Sequence, residues 1–526
     1  MERREFLVYA GLGCVDLLFR QGPVGAFSFR KSRPMAKVGF TPISPASTDD
    51  LILPPGYVYD IVIRCGDLLG SKGPQGLEFF GDDNDFIAFF PSSDHATLIV
   101  NHESVNAVHR LDGARKLTRD EWIRAEKLHV GLSKIRIEKK NGVWKYAPSK
   151  LNQRVTASYP KIEMTGPVSS EFTSVVGSLA NCSGGVTPWG TALSCEENFD
   201  EYNLSVKKGG HGWADVASQA IDERHCGWVV EWDPDGTIPL KKHSALGRFA
   251  HEAASVRIGA SGKVVVYLGD DGEGRCLYKF VSEKPLQEKM TRQEKSSLLH
   301  TGVLWVADFK KLEWLALDIN RNPNLKANGF KSQSDILMRC REAAEGVGGT
   351  PLDRPEGSAI SPTDGSLYLS LSNHKKIGNF HGQIIRVIER GDDAESLAFQ
   401  FETFLVGGSE SSLSCPDNIT FDPKGGFWAS CDISSGSISK KPYAEFENNG
   451  FFYIPLSGKG MGHAYQFASA PIGAELTGPR FTPEGDTLFL SVQHPGEGSP
   501  VDKLSSHWPD GKQSIPLSAV VSIAMK

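Results

Sequence analysis

Ser361-Pro-Thr-Asp-Gly-Ser-Leu-Tyr-Leu-Ser370 is a turn of Pro, Asp and Gly, then a short β-type run that leads into polar residues as far as Asn373. Pro and Gly preset the turn backbone, and the alternating apolar residues after them suit a pleated strand. The same unit returns as Phe421-Asp-Pro-Lys-Gly-Gly-Phe-Trp-Ala-Ser430, leading to Asp432, and as Phe481-Thr-Pro-Glu-Gly-Asp-Thr-Leu-Phe-Leu-Ser491, leading to Gln493 and His494. Looser copies run from Thr187 to Glu196-Glu197, from Gly259 to Asp270-Asp271, and from Phe90-Pro91 to Asn101-His102-Glu103. A hairpin-like unit in about six copies predicts an all-β chain: a β-propeller, six-bladed, with long rim insertions between its repeats. Gly302–Ala307 and Gly450–Ile454 read as further blade strands, 285–299 as a helical insert and 318–349 as a loop excursion.

Composition agrees with this. Gly (55) and Pro (30) make up roughly a sixth of 526 residues, which is turn-rich without being low-complexity. The net charge of −6 and the lack of any Lys/Arg-rich run argue against a nucleic-acid partner. The nine cysteines, Cys14 to Cys431, contain no C-x-x-C pair and read as buried apolar residues rather than a disulfide framework. No stretch reaches the ~20 apolar residues of a membrane span. The start, Met1-Glu-Arg3-Arg4-Glu-Phe-Leu7, followed by an apolar run to Phe19 and Val24-Gly-Ala26, has the pattern of a twin-arginine export signal, although Asp16 interrupts the run. The expected organisation is a leader over 1–35 and a single propeller domain over 36–526, acting as a monomer. The Tat export machinery is the expected partner, and the protein would work in the periplasm or be secreted.

The ends of the repeats carry the chemistry. In a propeller they converge on one face, and here they are Glu103, Glu196, Glu197, Asp270, Asp271, Asn373, Asp432, Gln493 and His494. Carboxylates gathered so closely repel one another, and cations relieve that repulsion. Loops before the copies add Glu252, Glu356, Asp417 and Glu475, each in a segment stiffened by Pro or opened by Gly. Oxygen donors in such numbers suit calcium. Cys182, in the Gly-rich Asn181-Cys-Ser-Gly-Gly185, adds one thiol; pointing into the ring, it would favour a softer metal such as iron. Arg354, beside Pro355 and Glu356, offers a planar fork of hydrogen-bond donors.

Asn181-Cys-Ser-Gly-Gly-Val-Thr-Pro-Trp-Gly-Thr-Ala-Leu-Ser-Cys-Glu-Glu-Asn198 closely resembles the signature of PhoX-type alkaline phosphatases. Leu53–Tyr57, Phe86–Phe90, Asn101–Glu103, His251-Glu252, Arg354–Gly357, Pro416–Asn418 and Gly478–Phe481 follow in family order. The resemblance implies a propeller that hydrolyses phosphate monoesters outside the cytoplasm with a cluster of two irons and three calciums, the irons sharing a cysteine. By motif position Cys182 is that thiolate. Glu196 or Glu197, Glu252, Glu356 and an acid of Asp270-Asp271 are then metal ligands, and Arg354 grips the phosphate. Two other readings stay open on the residues alone: a calcium-dependent lactonase-type propeller hydrolase, and a non-catalytic scaffold stabilised by calcium.

Overall fold

In the computed structural model, residues 38–106, 109, 111–112 and 115–526 are described. The twin-arginine leader and Cys14 lie outside the described residues. Six blades, antiparallel except for one parallel pair in the second between Lys161–Thr165 and Lys241–His243, close a ring around one axis. Their innermost strands are Asn84–Pro91, Asn181–Val186, His251–Ile258, Pro355–Ile360, Pro416–Phe421 and Glu475–Phe481. Each packs against the next, and the sixth packs against the first. The six-bladed expectation therefore holds, and both expected extra strands are present, as Gly302–Asp308 and Gly450–Ile454.

The blades stand because their second strands are apolar on both faces. Lys263–Asp270 is buried from its second residue onward, and Leu367–Leu371, Phe427–Cys431 and Leu488–Gln493 are buried throughout. A strand between two stacked sheets has no solvent face, so these strands read as continuous hydrophobic runs rather than alternating ones. Near the axis the inner strands need small residues. A Cβ on Gly185 would lie 1.9 Å from the Ala254 carbonyl oxygen, and one on Gly357 would lie 2.4 Å from that of Asp417.

The ring is closed by a distant pairing. The strand Tyr57–Arg64 forms the outer edge of the sixth blade against Ala519–Met525, with Tyr57 opposite Met525 and Arg64 opposite Ala519. The stretch 318–349, expected as a loop, instead folds as three short helices, Pro323–Ala327, Gln333–Met338 and Cys340–Val347. Leu325, Ile336, Leu337, Ala343 and Ala344 pack into the same apolar core as the second and third blades. Their apolar spacing suits a helix, and burial of that face fixes an otherwise marginal length. The 285–299 insert is helical over Arg292–Ser296, with Thr291 and Glu294 forming a capping box.

Candidate active site

The six inner strands share a bent start. The residue just before the strand takes a left-handed backbone in four blades, at Asp83, Ala180, Arg354 and Cys415, with φ of 38°, 52°, 55° and 49°. Such φ values are strained for non-glycine residues, and they recur here at one structural position. Every inner strand also slips register near its start, between Asn84 and Ile87, Asn181 and Gly184, Glu252 and Ser255, Pro355 and Ser358, Pro416 and Ile419, and Thr477 and Arg480. A bulge bends a strand and re-aims a side chain. The side chains beside these bulges are Asp85, Cys182, Glu252, Glu356, Asp417 and Glu475, one per blade, and all line one cavity of about 240 Å³ on the axis.

A second ring surrounds the first. The residue just past each second strand is Glu103, Glu197, Asp271, Ser372, Asp432 or His494. Glu103, Glu197, Asp432 and His494 also line the cavity. Altogether nine carboxylates face it, Glu497 being the ninth, against the cationic side chains of Arg354 and His494.

The donors form overlapping groups. Asp85, Glu103 and Cys182 bring ligand atoms within 4.8 Å of one another, as do Cys182, Glu197 and Glu252, and again Glu252, Glu356 and Asp417. Cys182 and Glu252 each belong to two of these groups. Cys182 Sγ lies 3.0 Å from Asp85 Oδ2, while Asp85 Oδ1 and Glu252 Oε2 are buried with no hydrogen-bond partner. Burial, then the neighbouring Glu103 charge, pushes Asp85 up to about 7. Burial first, and like charge second, also holds Glu197, Glu252, Asp417 and Glu475 well above the usual carboxylate range. Orphaned buried oxygens and carboxylates unable to share their charge fit a cluster of cations, and the thiol fits a transition metal among them.

Three expected ligands, Glu196, Asp270 and Asp271, do not line this cavity. Glu196, the last residue of its strand, is fully buried behind the ring. It accepts hydrogen bonds from Lys242 Nζ at 2.7 Å, Ser178 Oγ at 2.7 Å, and the backbone of Gly227 and Trp228 at 2.9 and 3.1 Å. Asp270, likewise a strand's last residue, accepts a fork from Arg341 on the helical insertion, at 3.0 and 2.6 Å. Successive residues of a strand face opposite sides, so in both doublets the first acid turns into the blade and the second toward the axis. Asp271 stands behind Arg354 rather than in the cavity wall. Arg354 Nε and Nη2 donate to its two oxygens at 3.0 and 2.9 Å, Nη2 also reaches Glu356 Oε1 at 2.6 Å, and Nη1 faces Asp432 at 3.7 Å. The planar fork expected to face phosphate is thus engaged by Asp271, and Nη1 is the arm turned toward the acid-lined space. Asn373 is turned to Cys415 Sγ at 3.6 Å, and Gln493 donates to Glu103 at 2.7 Å.

The sequence model of the family described as "Alkaline phosphatase PhoX" matches residues 38–496. The chain belongs to the PhoX family of alkaline phosphatases. Its structure is similar to that of Pseudomonas fluorescens PhoX in complex with vanadate, a transition state analogue. That likeness has a TM-score of 0.81 and 28% identity, and covers 93% of this chain and 98% of that one. A gluconolactonase from Xanthomonas campestris is matched over 89% of this chain and 98% of its own, but at 10% identity and a TM-score of 0.34, which carries no argument. No curated protein matches the chain. As a member of the PhoX family the chain is an alkaline phosphatase, so its activity is phosphate-ester hydrolysis and not that of a passive scaffold.

Sequence reasoning missed Asp85 altogether, and it named Glu103 and Asp432 only as ring acids. The signal for Asp85 was present in register. It is the second residue of its inner strand, as Cys182, Glu252, Glu356 and Asp417 are of theirs.

Proposed function

We propose that this PhoX phosphatase hydrolyses phosphate monoesters with a mixed cluster of iron and calcium. The ligands would be Cys182, Glu197, Glu252, Glu356, Asp417 and Glu475, together with Asp85 and Glu103. The observation that carries this reading is the place of Cys182 in two adjacent donor groups, Asp85 with Glu103 on one side and Glu197 with Glu252 on the other. A single thiolate so placed suits a pair of iron ions, and the all-oxygen remainder suits calcium. When bound, the cations supply positive charge against the phosphoryl oxygens and lower the pKa of an oxygen nucleophile. The chain's own task is orientation. Asp271 holds the Arg354 guanidinium by its fork, leaving Nη1 as the donor for an incoming phosphate oxygen. Glu196 and Asp270 are left out of the ligand set, because Lys242 and Arg341 already engage their oxygens.

Cys182→Ser tests the thiolate. The expected result is loss of iron before calcium, with activity lost alongside iron. A variant with unchanged iron and full activity would remove the thiolate from the centre.

Export by the twin-arginine route, to the periplasm or the medium, is proposed from Arg3-Arg4 and the apolar run that follows. No helix among the described residues is long and apolar enough to cross a membrane. Arg3→Lys with Arg4→Lys should leave the precursor in the cytoplasm on cell fractionation; normal export of that variant would count against the signal.

A further inference from the structure

The seam where the propeller closes holds a second set of metal-ligating side chains, which shares no residue with the catalytic cavity. Cys65 directly follows the closing strand Tyr57–Arg64, and Asp82 lies two residues before the inner strand of the first blade. His109 comes from the connection after that blade's second strand, and His129 ends the helix Arg119–His129. Ligand atoms of Cys65, Asp82 and His109 all lie within 4.8 Å of one another. Cys65 Sγ is 3.6 Å from His109 Nε2 and 3.8 Å from His129 Nδ1, and His109 Nε2 is 3.1 Å from Asp82 Oδ2.

These separations have a chemical meaning. A zinc ion about 2.3 Å from sulfur and about 2.0–2.1 Å from nitrogen or oxygen, in tetrahedral geometry, sets S and N about 3.6 Å apart and N and O about 3.3 Å apart. A Cys-His-Asp nucleophile relay would look different. There the carboxylate and the thiol meet opposite ring nitrogens, whereas here both meet Nε2 of His109. One nitrogen cannot both take the thiol's proton and donate to the carboxylate, but three donors converging on one point are what a cation needs.

The surroundings hold the donors in place. Ser518 Oγ donates to Asp82 Oδ1 at 2.8 Å and the Asn106 backbone N–H to Oδ2 at 2.9 Å. The Asp82 N–H donates to the His129 carbonyl at 3.3 Å, and the Cys65 N–H to that of Ser518 at 2.9 Å. Hydrogen bonds of this kind, fixing the orientation of a ligand from behind, accompany built metal sites. Cys65 and Asp82 are buried, 4% and 1% exposed.

We propose that Cys65, Asp82 and His109 bind one zinc-class divalent transition metal that clasps the sixth blade to the first. Such a site would bind in the folded ring and not in the open chain, so its binding free energy would resist opening of the seam. It would also fix the run that leads from Asp82 to Asp85 in the catalytic cavity.

The test uses the mature protein, stripped with chelator and then refilled with iron and calcium, with and without zinc. The probes are Zn2+, counted by elemental analysis, and Co2+, read by its thiolate-to-metal absorption. Cys182→Ser is used as the background, so that the cavity thiolate cannot supply that signal. The expected result is one tightly held equivalent of zinc or cobalt in that background, lost on adding Cys65→Ser or His109→Gln. In the wild-type background, Cys65→Ser should lower the unfolding temperature while iron and calcium contents stay the same. His109→Gln, at a position 18% exposed, carries the test if Cys65→Ser does not fold. Zinc or cobalt retained in full by either variant, or no zinc bound in the Cys182→Ser background, would overturn the clasp. Neither outcome bears on the phosphatase centre, whose iron and calcium are counted separately.

Discussion

Arg354→Lys keeps a positive charge at the cavity wall and removes only the planar fork. In the structure that fork makes two hydrogen bonds to Asp271, at 3.0 and 2.9 Å, and Nη2 forms an ion pair with Glu356 Oε1 at 2.6 Å. Burial alone would raise the Asp271 carboxyl, but the Arg354 charge and hydrogen bonds hold it below its ordinary range. An ammonium cannot span both Asp271 oxygens and also present a third donor to the cavity. Hydrogen bonds to charged groups contribute about 1.5–3 kcal/mol each. Losing the one that Nη1 makes as the phosphoryl group transfers lowers kcat/KM by roughly tenfold to a hundredfold.

The assay is hydrolysis of a chromogenic phosphate monoester, with inhibition by inorganic phosphate, metal content and thermal unfolding measured on one preparation. The expected result is a large drop in kcat/KM and weaker phosphate inhibition at unchanged iron and calcium. The competing role is a brace, since Arg354 also ties the third blade's Asp271 to the fourth blade's Glu356. A pure brace predicts a lower unfolding temperature with kcat/KM and phosphate inhibition within about twofold of wild type. That outcome would make Arg354 a structural brace between blades rather than a side chain that binds phosphate. Asp353 does not confuse the result, because it is paired with His374 at 2.9 Å and Asn379 at 2.9 Å.

The neighbouring acids Glu196 and Glu197 should respond in opposite ways. Glu196→Gln strands the buried Lys242 ammonium and should cost roughly 3–5 kcal/mol of stability, read by denaturant unfolding, with metal content per folded molecule unchanged. Glu197→Gln should lose metal and activity while leaving the apo protein no less stable; the reverse pattern would mean that the two side chains have been assigned to the wrong faces. Chelator-stripped protein should lose stability as pH rises from about 4 to about 7. Asp85, raised from 3.8 to about 7, keeps its proton in the folded state where the unfolded chain has lost it. Stability therefore falls across that window, by up to about 4 kcal/mol. Refilling with metal should remove the slope, and a stripped protein whose unfolding temperature is flat or rising over this range would contradict the crowding of the acids.

The fold was legible because its unit is local. A Pro/Gly/Asp turn and the strand after it lie within about ten residues, and the copies at Ser361, Phe421 and Phe481 repeat it. Ring closure was not legible, since Tyr57 pairs with Met525 across nearly the whole chain and nothing in the sequence near either residue names the other. The helices within 318–349 were missed for a related reason: each is short, and the core they cover decides them. In the site, the sequence located the acidic doublets but could not choose within them, because that choice depends on strand phase. The last residue of the strand belongs to the blade, as Glu196 and Asp270 do, and the next belongs to the axis. Phase also explains where the cations stand. In the fourth blade the residue past the second strand is Ser372, and in the sixth it is His494; the other four blades place an acid there. Arg354 precedes the inner strand of that same fourth blade, with a carbonyl that accepts from the Ser372 N–H at 3.1 Å. The outer acidic ring is thus interrupted at two blades, each with a positive side chain at the gap.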